Sequence, residues 1–109
     1  MPTNYKVLGQ SNPAATTATS LYTVPASTQA VVSTIVIANL AATSATFRIA
    51  CRVAGAALAN SQYVAYDVSV GANDSTALTL GVTLGAADVI TVYASTANVT
   101  FTAFGSEIS

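Results

Sequence analysis

Covalent chemistry in this chain would have to rest on Cys51, on a serine or threonine, or on one of four carboxylates, because there is no histidine and only one lysine, Lys6. A nucleophile needs an adjacent base, and the usual partner is missing. The acids Asp67, Asp74, Asp88 and Glu107 are numerous enough for the carboxylate pair of glycoside hydrolysis, but nothing in their spacing brings two together. Asp74 and Asp88 stand in Gly71-Ala72-Asn73-Asp74-Ser75 and Gly85-Ala86-Ala87-Asp88, where a short carboxylate ordinarily bonds its own turn. Asn73-Asp74-Ser75 offers three oxygens without the spaced acids of a calcium loop. It and Asn98-Val99-Thr100 match the glycosylation acceptor pattern, as a Ser- and Thr-rich chain does by chance. Cys51 alternates with Phe47, Ile49 and Val53 and is expected to point into the core as a small hydrophobe. The expectation is a protein that is not an enzyme and holds no cofactor and no metal.

The charges that remain form one pattern. Arg48, Arg52 and Asp67 fall on the outward faces of two consecutive predicted strands. If Thr46 to Val53 and Gln62 to Val70 pair as a hairpin with positions summing to 115, Arg48 faces Asp67 and Arg52 faces Tyr63. The same register sets Ile49 beside Tyr66 and Cys51 beside Val64 on the core side. Ala50, Ala65 and Ser69 leave the rest of the outer face small and flat, so Arg48, Arg52, Tyr63 and Asp67 are the candidate subunit interface. An exposed ion pair with a cation–π contact is the plainer reading of the same residues.

The elements that must carry these residues are strands. Phe47, Ile49, Cys51 and Val53 alternate with Thr46, Arg48, Ala50 and Arg52; Val64, Tyr66, Val68 and Val70 alternate with Tyr63, Ala65, Asp67 and Ser69. Leu78, Leu80, Val82 and Leu84 continue the pattern. Val31 to Asn39 is aliphatic and β-branched, which predicts a central strand. Val89 to Ser95 and Val99 to Phe104 are expected to form a hairpin through Thr96-Ala97-Asn98. Leu21 to Val24 is a short strand ended by Pro25, and Tyr5 to Leu8 an edge strand. Positions 9–20 have nothing to bury and are expected as an extended loop or arm. One helical turn near Ala56 to Asn60 is the most the pattern allows. The prediction is all-β: a single compact antiparallel β-sandwich over 1–109, jelly-roll or Ig-like Greek key, of about eight strands.

Composition bounds the partners. Ala, Thr, Val and Ser fill 62 of the 109 positions, and only 6% of residues are charged, far below an ordinary soluble surface, so some of that surface is expected to meet another protein. A net charge of −1 offers no clustered bases for phosphates, so no nucleic acid is expected. The longest strictly aliphatic run, Ile35 to Ala38, is too short for a membrane span, and the start of the chain does not read as a signal peptide. One cysteine forms no intramolecular disulfide and is compatible with synthesis in a reducing cytoplasm.

Three stretches carry a likeness. They are Leu21 to Pro25 (Leu-Tyr-Thr-Val-Pro) with Val31 to Asn39; Phe47 to Ala50 (Phe-Arg-Ile-Ala) with Tyr63 to Asp67 (Tyr-Val-Ala-Tyr-Asp); and Tyr93 to Ile108. Together they resemble small virion structural proteins of tailed bacteriophages, especially those of cyanobacteria and marine bacteria. The resemblance implies a β-sandwich module that trimerises on the capsid as a decoration or cement protein, or attaches to the neck, baseplate or tail fibre. Its implied partners are further copies of itself and another virion protein such as the major capsid protein. The virion is the implied location, after synthesis in the host cytoplasm. Low charge and abundant Thr also suit a glycan-binding adhesive module, with Tyr5, Tyr22, Tyr63 and Tyr93 as candidate stacking platforms.

Overall fold

A computed structural model describes residues 3–79 and 81–109. Nine strands follow in order: β1 (Thr3–Ser11), β2 (Thr19–Thr23), β3 (Gln29–Asn39), β4 (Ala45–Arg52), β5 (Tyr63–Val70), β6 (Ser75–Leu78), β7 (Val82–Leu84), β8 (Val89–Ala94) and β9 (Val99–Ile108). Two short 3-10 turns, Val53–Gly55 and Asn60–Gln62, lie between β4 and β5. They flank the segment where one helical turn was expected.

The strands form two antiparallel sheets packed face to face. The first runs β1-β9-β3-β6, with β7 also on β3; the second runs β2-β8-β4-β5. Counting β6 and β7 as one interrupted arm, the chain is a long antiparallel ribbon of four pairs: β1 with β9, β2 with β8, β3 with β6 and β7, and β4 with β5. Rolling that ribbon on itself adds the β3·β9 and β4·β8 pairings and closes both sheets. This is the jelly-roll connectivity.

Period-two alternation explains the core. Ala30, Val32, Ile35 and Ile37 of β3 and Val99, Phe101 and Ala103 of β9 point inward from the first sheet; Phe47 and Ile49 of β4, with Ile90, Val92 and Ala94 of β8, meet them from the second. Phe47 and Phe101 touch edge to face across the layers, their centroids 6.2 Å apart. A bulge at Ser33 separates the two inward pairs of β3. Opposite it, a Cβ on Gly105 would lie 2.0 Å from the Val31 carbonyl oxygen, so only glycine fits there. Asn39 is buried at the end of β3, and its amide donates to the Thr43 and Gly71 carbonyls while accepting from the Ala41 N–H. One side chain thereby ties two loops to the sandwich.

Several expectations need correction. β8 and β9 are not a hairpin: they lie in different sheets. Their connector, 95–98, reaches up to roughly 14 Å, ample for the roughly 10 Å between layers, so a short loop does not discriminate a hairpin from a crossover. The loop or arm expected over 9–20 is narrower, 12–18, because 9–11 end β1 and 19–20 begin β2. Gly9, Gln10 and Ser11 pair with Ala103, Thr102 and Phe101, Pro13 is buried, and the Thr16 N–H donates to the Ala94 carbonyl. The predicted strand through Leu78 and Leu84 is split by Gly81, at φ 63°, although Leu78, Val82 and Leu84 do turn toward the core. Leu80 lies outside the described residues. Val64 and Tyr66 are exposed rather than core-facing, and Val68, although it pairs with the inward Phe47, is left partly open at the edge of the sheet. Cys51 is only half-buried and Val53 is exposed, because β4 leaves the core after Ala50.

Candidate functional site

The outer face of the second sheet holds the predicted constellation. β4 and β5 keep the 115 sum at Ala45↔Val70, Thr46↔Ser69 and Phe47↔Val68, then lose it: Ile49 faces Ala65 and Ala50 faces Tyr63. Between those pairs Arg48 stands opposite both Tyr66 and Asp67, with Asp67 at φ 52°. A second extra residue, Val64, sits between Ala65 and Tyr63. Each bulge shifts the register by one and turns the following side chains over.

Arg48 therefore meets its expected partner. Its Nε donates to Asp67 Oδ1 at 2.7 Å and its Nη2 to Oδ2 at 3.3 Å. The guanidinium carbon lies 4.2 Å from the ring centroids of both Tyr66 and Tyr93, so the cation is held between two aromatic faces. Bonding to Asp67 raises the Arg48 pKa further still.

Arg52 does not meet Tyr63. The two bulges move Tyr63 opposite Ala50, and Arg52 instead folds over its own turn, donating to the carbonyls of Ala56 at 2.7 Å and Gly55 at 2.9 Å. Tyr63 turns to Tyr66, ring centroids 4.9 Å apart and planes at 81°. Neither Ile49–Tyr66 nor Cys51–Val64 is a neighbour pair; Cys51 pairs with Ile90 of β8. Burial, with a smaller contribution from Asp88, pushes the Cys51 thiol pKa up, away from the thiolate.

The remaining charges are also committed within the chain. Lys6 Nζ lies 2.9 Å from Glu107 Oε1, and the buried Tyr22 donates its hydroxyl to Glu107 Oε2. The Tyr22 hydroxyl, then Lys6, hold the Glu107 carboxyl below its usual range. Burial, followed by the Glu107 bond, raises the Tyr22 phenol. These contacts make Glu107 a clip between β1, β2 and β9. Asp88 accepts from the Ala54 and Gly85 N–H groups, and Asp74 from the Ser75 N–H. Among the described residues no three His, Cys, Asp or Glu side chains gather as a metal-ligand group. The clip escaped sequence reasoning because its members lie at opposite ends of the chain and meet only through the β1·β9 pairing.

No protein-family model matches this chain, and no curated protein matches it. The outer face of the first sheet exposes Tyr5, Val7 and Phe104, with Val7 directly opposite Phe104, around a shallow hollow of about 600 Å3 that also touches Val31 and Ser33. The outer face of the second sheet exposes Val64 and Tyr66 beside the Arg48–Asp67 pair. No helix among the described residues is long and apolar enough to cross a membrane.

Proposed function

We propose that this chain is a non-enzymatic structural subunit of a tailed-bacteriophage virion, a homotrimeric capsid decoration protein that binds the major capsid protein and stabilises the shell. The observation that carries this reading is the commitment of all seven charged side chains to partners within the chain. Each of these groups fastens a turn or a pair of strands. What remains outward is small, hydroxylated or apolar, the surface that repeated subunit contacts use.

The resemblance of Leu21 to Pro25, Phe47 to Ala50 and Tyr93 to Ile108 to small virion proteins supports the same reading. Jelly rolls serve both as capsid subunits and as lectins, so the fold by itself does not select between them. Exposed Tyr5, Val7 and Phe104 give apolar area for contact, and many copies turn weak contacts into firm attachment.

Mass in solution and on particles tests the proposal. The expected results are a mass of three chains by light scattering and co-sedimentation with capsids that lack the protein. A monomer that leaves those capsids bare contradicts it.

A further inference from the structure

Tyr63 and Tyr66 are three apart on one strand, and regular alternation would send them to opposite faces. The extra residue at Val64 reverses that parity and brings both rings to the same side of β5, at the exposed edge of the second sheet. They meet edge to face, forming a corner. Asn60, from the 3-10 turn just before β5, closes the third side of a hollow of about 360 Å3. Among the described residues the Asn60 amide and the Tyr63 and Tyr66 hydroxyls make no side-chain hydrogen bonds, so their donors and acceptors remain available.

The electrostatics select the ligand class. Arg48, the nearest cation, is closed by Asp67, and Arg52 is folded onto its turn, so an anion has no free base to pair with. A cationic ligand would seek aromatic faces, but the Arg48 guanidinium already lies between Tyr66 and Tyr93. A neutral molecule with one apolar face and a rim of hydroxyls fits what is left.

We propose that the Asn60–Tyr63–Tyr66 corner binds a neutral pyranose sugar, its C–H face against the Tyr63 ring, since Arg48 covers a face of Tyr66, and its hydroxyls bonded to the Asn60 amide and a phenol oxygen. This goes beyond the architectural reading and holds wherever in a particle the chain resides. The site is open and small, so a single sugar binds weakly, with a dissociation constant of about 1 mM or higher. Display of many copies on one particle would raise the effective strength on a glycan-covered surface.

The test titrates the full-length, nitrogen-15-labelled chain with the methyl glycosides of glucose, galactose, mannose and N-acetylglucosamine, and with N-acetylneuraminic acid as the charged comparison. At least one neutral glycoside is expected to shift the amide signals of Asn60, Tyr63 and Tyr66 in a saturable manner. Asn60→Ala and Tyr63→Ala are expected to weaken that binding about tenfold or more, while Tyr5→Ala on the other sheet leaves it unchanged. Asn60 is exposed, so its variant keeps the reading falsifiable even if the loss of Tyr63 disturbs β5. Four results would overturn the proposal: silence with all four neutral glycosides, shifts centred on Tyr5 and Phe104 instead, undiminished binding by both variants, or tighter binding of the acidic sugar. Sugar binding is read on the isolated chain, so its failure is separable from failure of the virion assignment.

Discussion

Arg48 and Asp67 face each other across β4 and β5, Nε to Oδ1 at 2.7 Å, at the first bulge, just past the last regular pair Phe47↔Val68. Two bulges, one at this pair and one at Val64, carry the first half of β5, Tyr63 to Tyr66, away from the partners that regular pairing would give it. The ion pair and the bulge belong together: the left-handed backbone of Asp67 lets both it and Tyr66 reach the same arginine.

A double-mutant cycle on Arg48→Ala and Asp67→Ala is therefore expected to show a favourable coupling in chemical denaturation, reduced by added salt. Zero coupling at low salt would mean that the pair does not exist in solution. A third arm, Tyr93→Ala, is expected to weaken the coupling by removing one wall of the arginine's slot.

The Glu107 clip predicts a pH dependence with a definite sign. Its carboxyl is held below the ordinary value of 4.5, so the folded state binds fewer protons than the unfolded one. The stability it contributes is complete above that value and is lost as pH falls through the lower, folded-state pKa. Glu107→Gln is expected to flatten the acid limb of the stability profile, measured by denaturation between roughly pH 2 and 6. Tyr22 acts in the opposite direction. Its raised phenol pKa stabilises the fold below about 10, with loss at higher pH, and Tyr22→Phe is expected to remove that alkaline limb. Unchanged profiles in both variants would exclude the clip.

Gly105 is where the fold tolerates least. A Cβ there meets the Val31 carbonyl oxygen and also lies 3.0 Å from Val32 Cα, all backbone in the paired strand. Gly105→Ala is expected to cost about 2 to 3 kcal/mol or to prevent folding, by the strain of overpacking. Gly81→Ala has open space around it and a left-handed backbone alone to resist it, so about 1 kcal/mol is expected. Equal melting temperatures for the two variants would contradict the predicted ranking.

Strand identity was legible wherever alternation was regular and burial one-sided. Phe47 and Ile49 in β4, and Ile35 and Ile37 in β3, point where period two sends them. In β5 the sequence misleads because Val64 and Tyr66 keep the alternation while the backbone does not; a bulge leaves no mark in hydropathy. The Arg48–Asp67 pair survives because the first bulge leaves both Tyr66 and Asp67 opposite Arg48, whereas Arg52 and Tyr63 lie beyond both bulges. The partner of β9 depends on how the ribbon rolls, a long-range choice that Thr96-Ala97-Asn98 cannot encode.

The proposed place of this chain in a virion is open to a direct count of its copies in purified particles. Quantitative mass spectrometry of gradient-purified phage is expected to find it in a fixed, high ratio to the major capsid protein, consistent with trimers distributed over the shell. A handful of copies per particle would move it to the neck, baseplate or fibre and contradict the decoration assignment; its absence from particles would contradict the virion reading altogether.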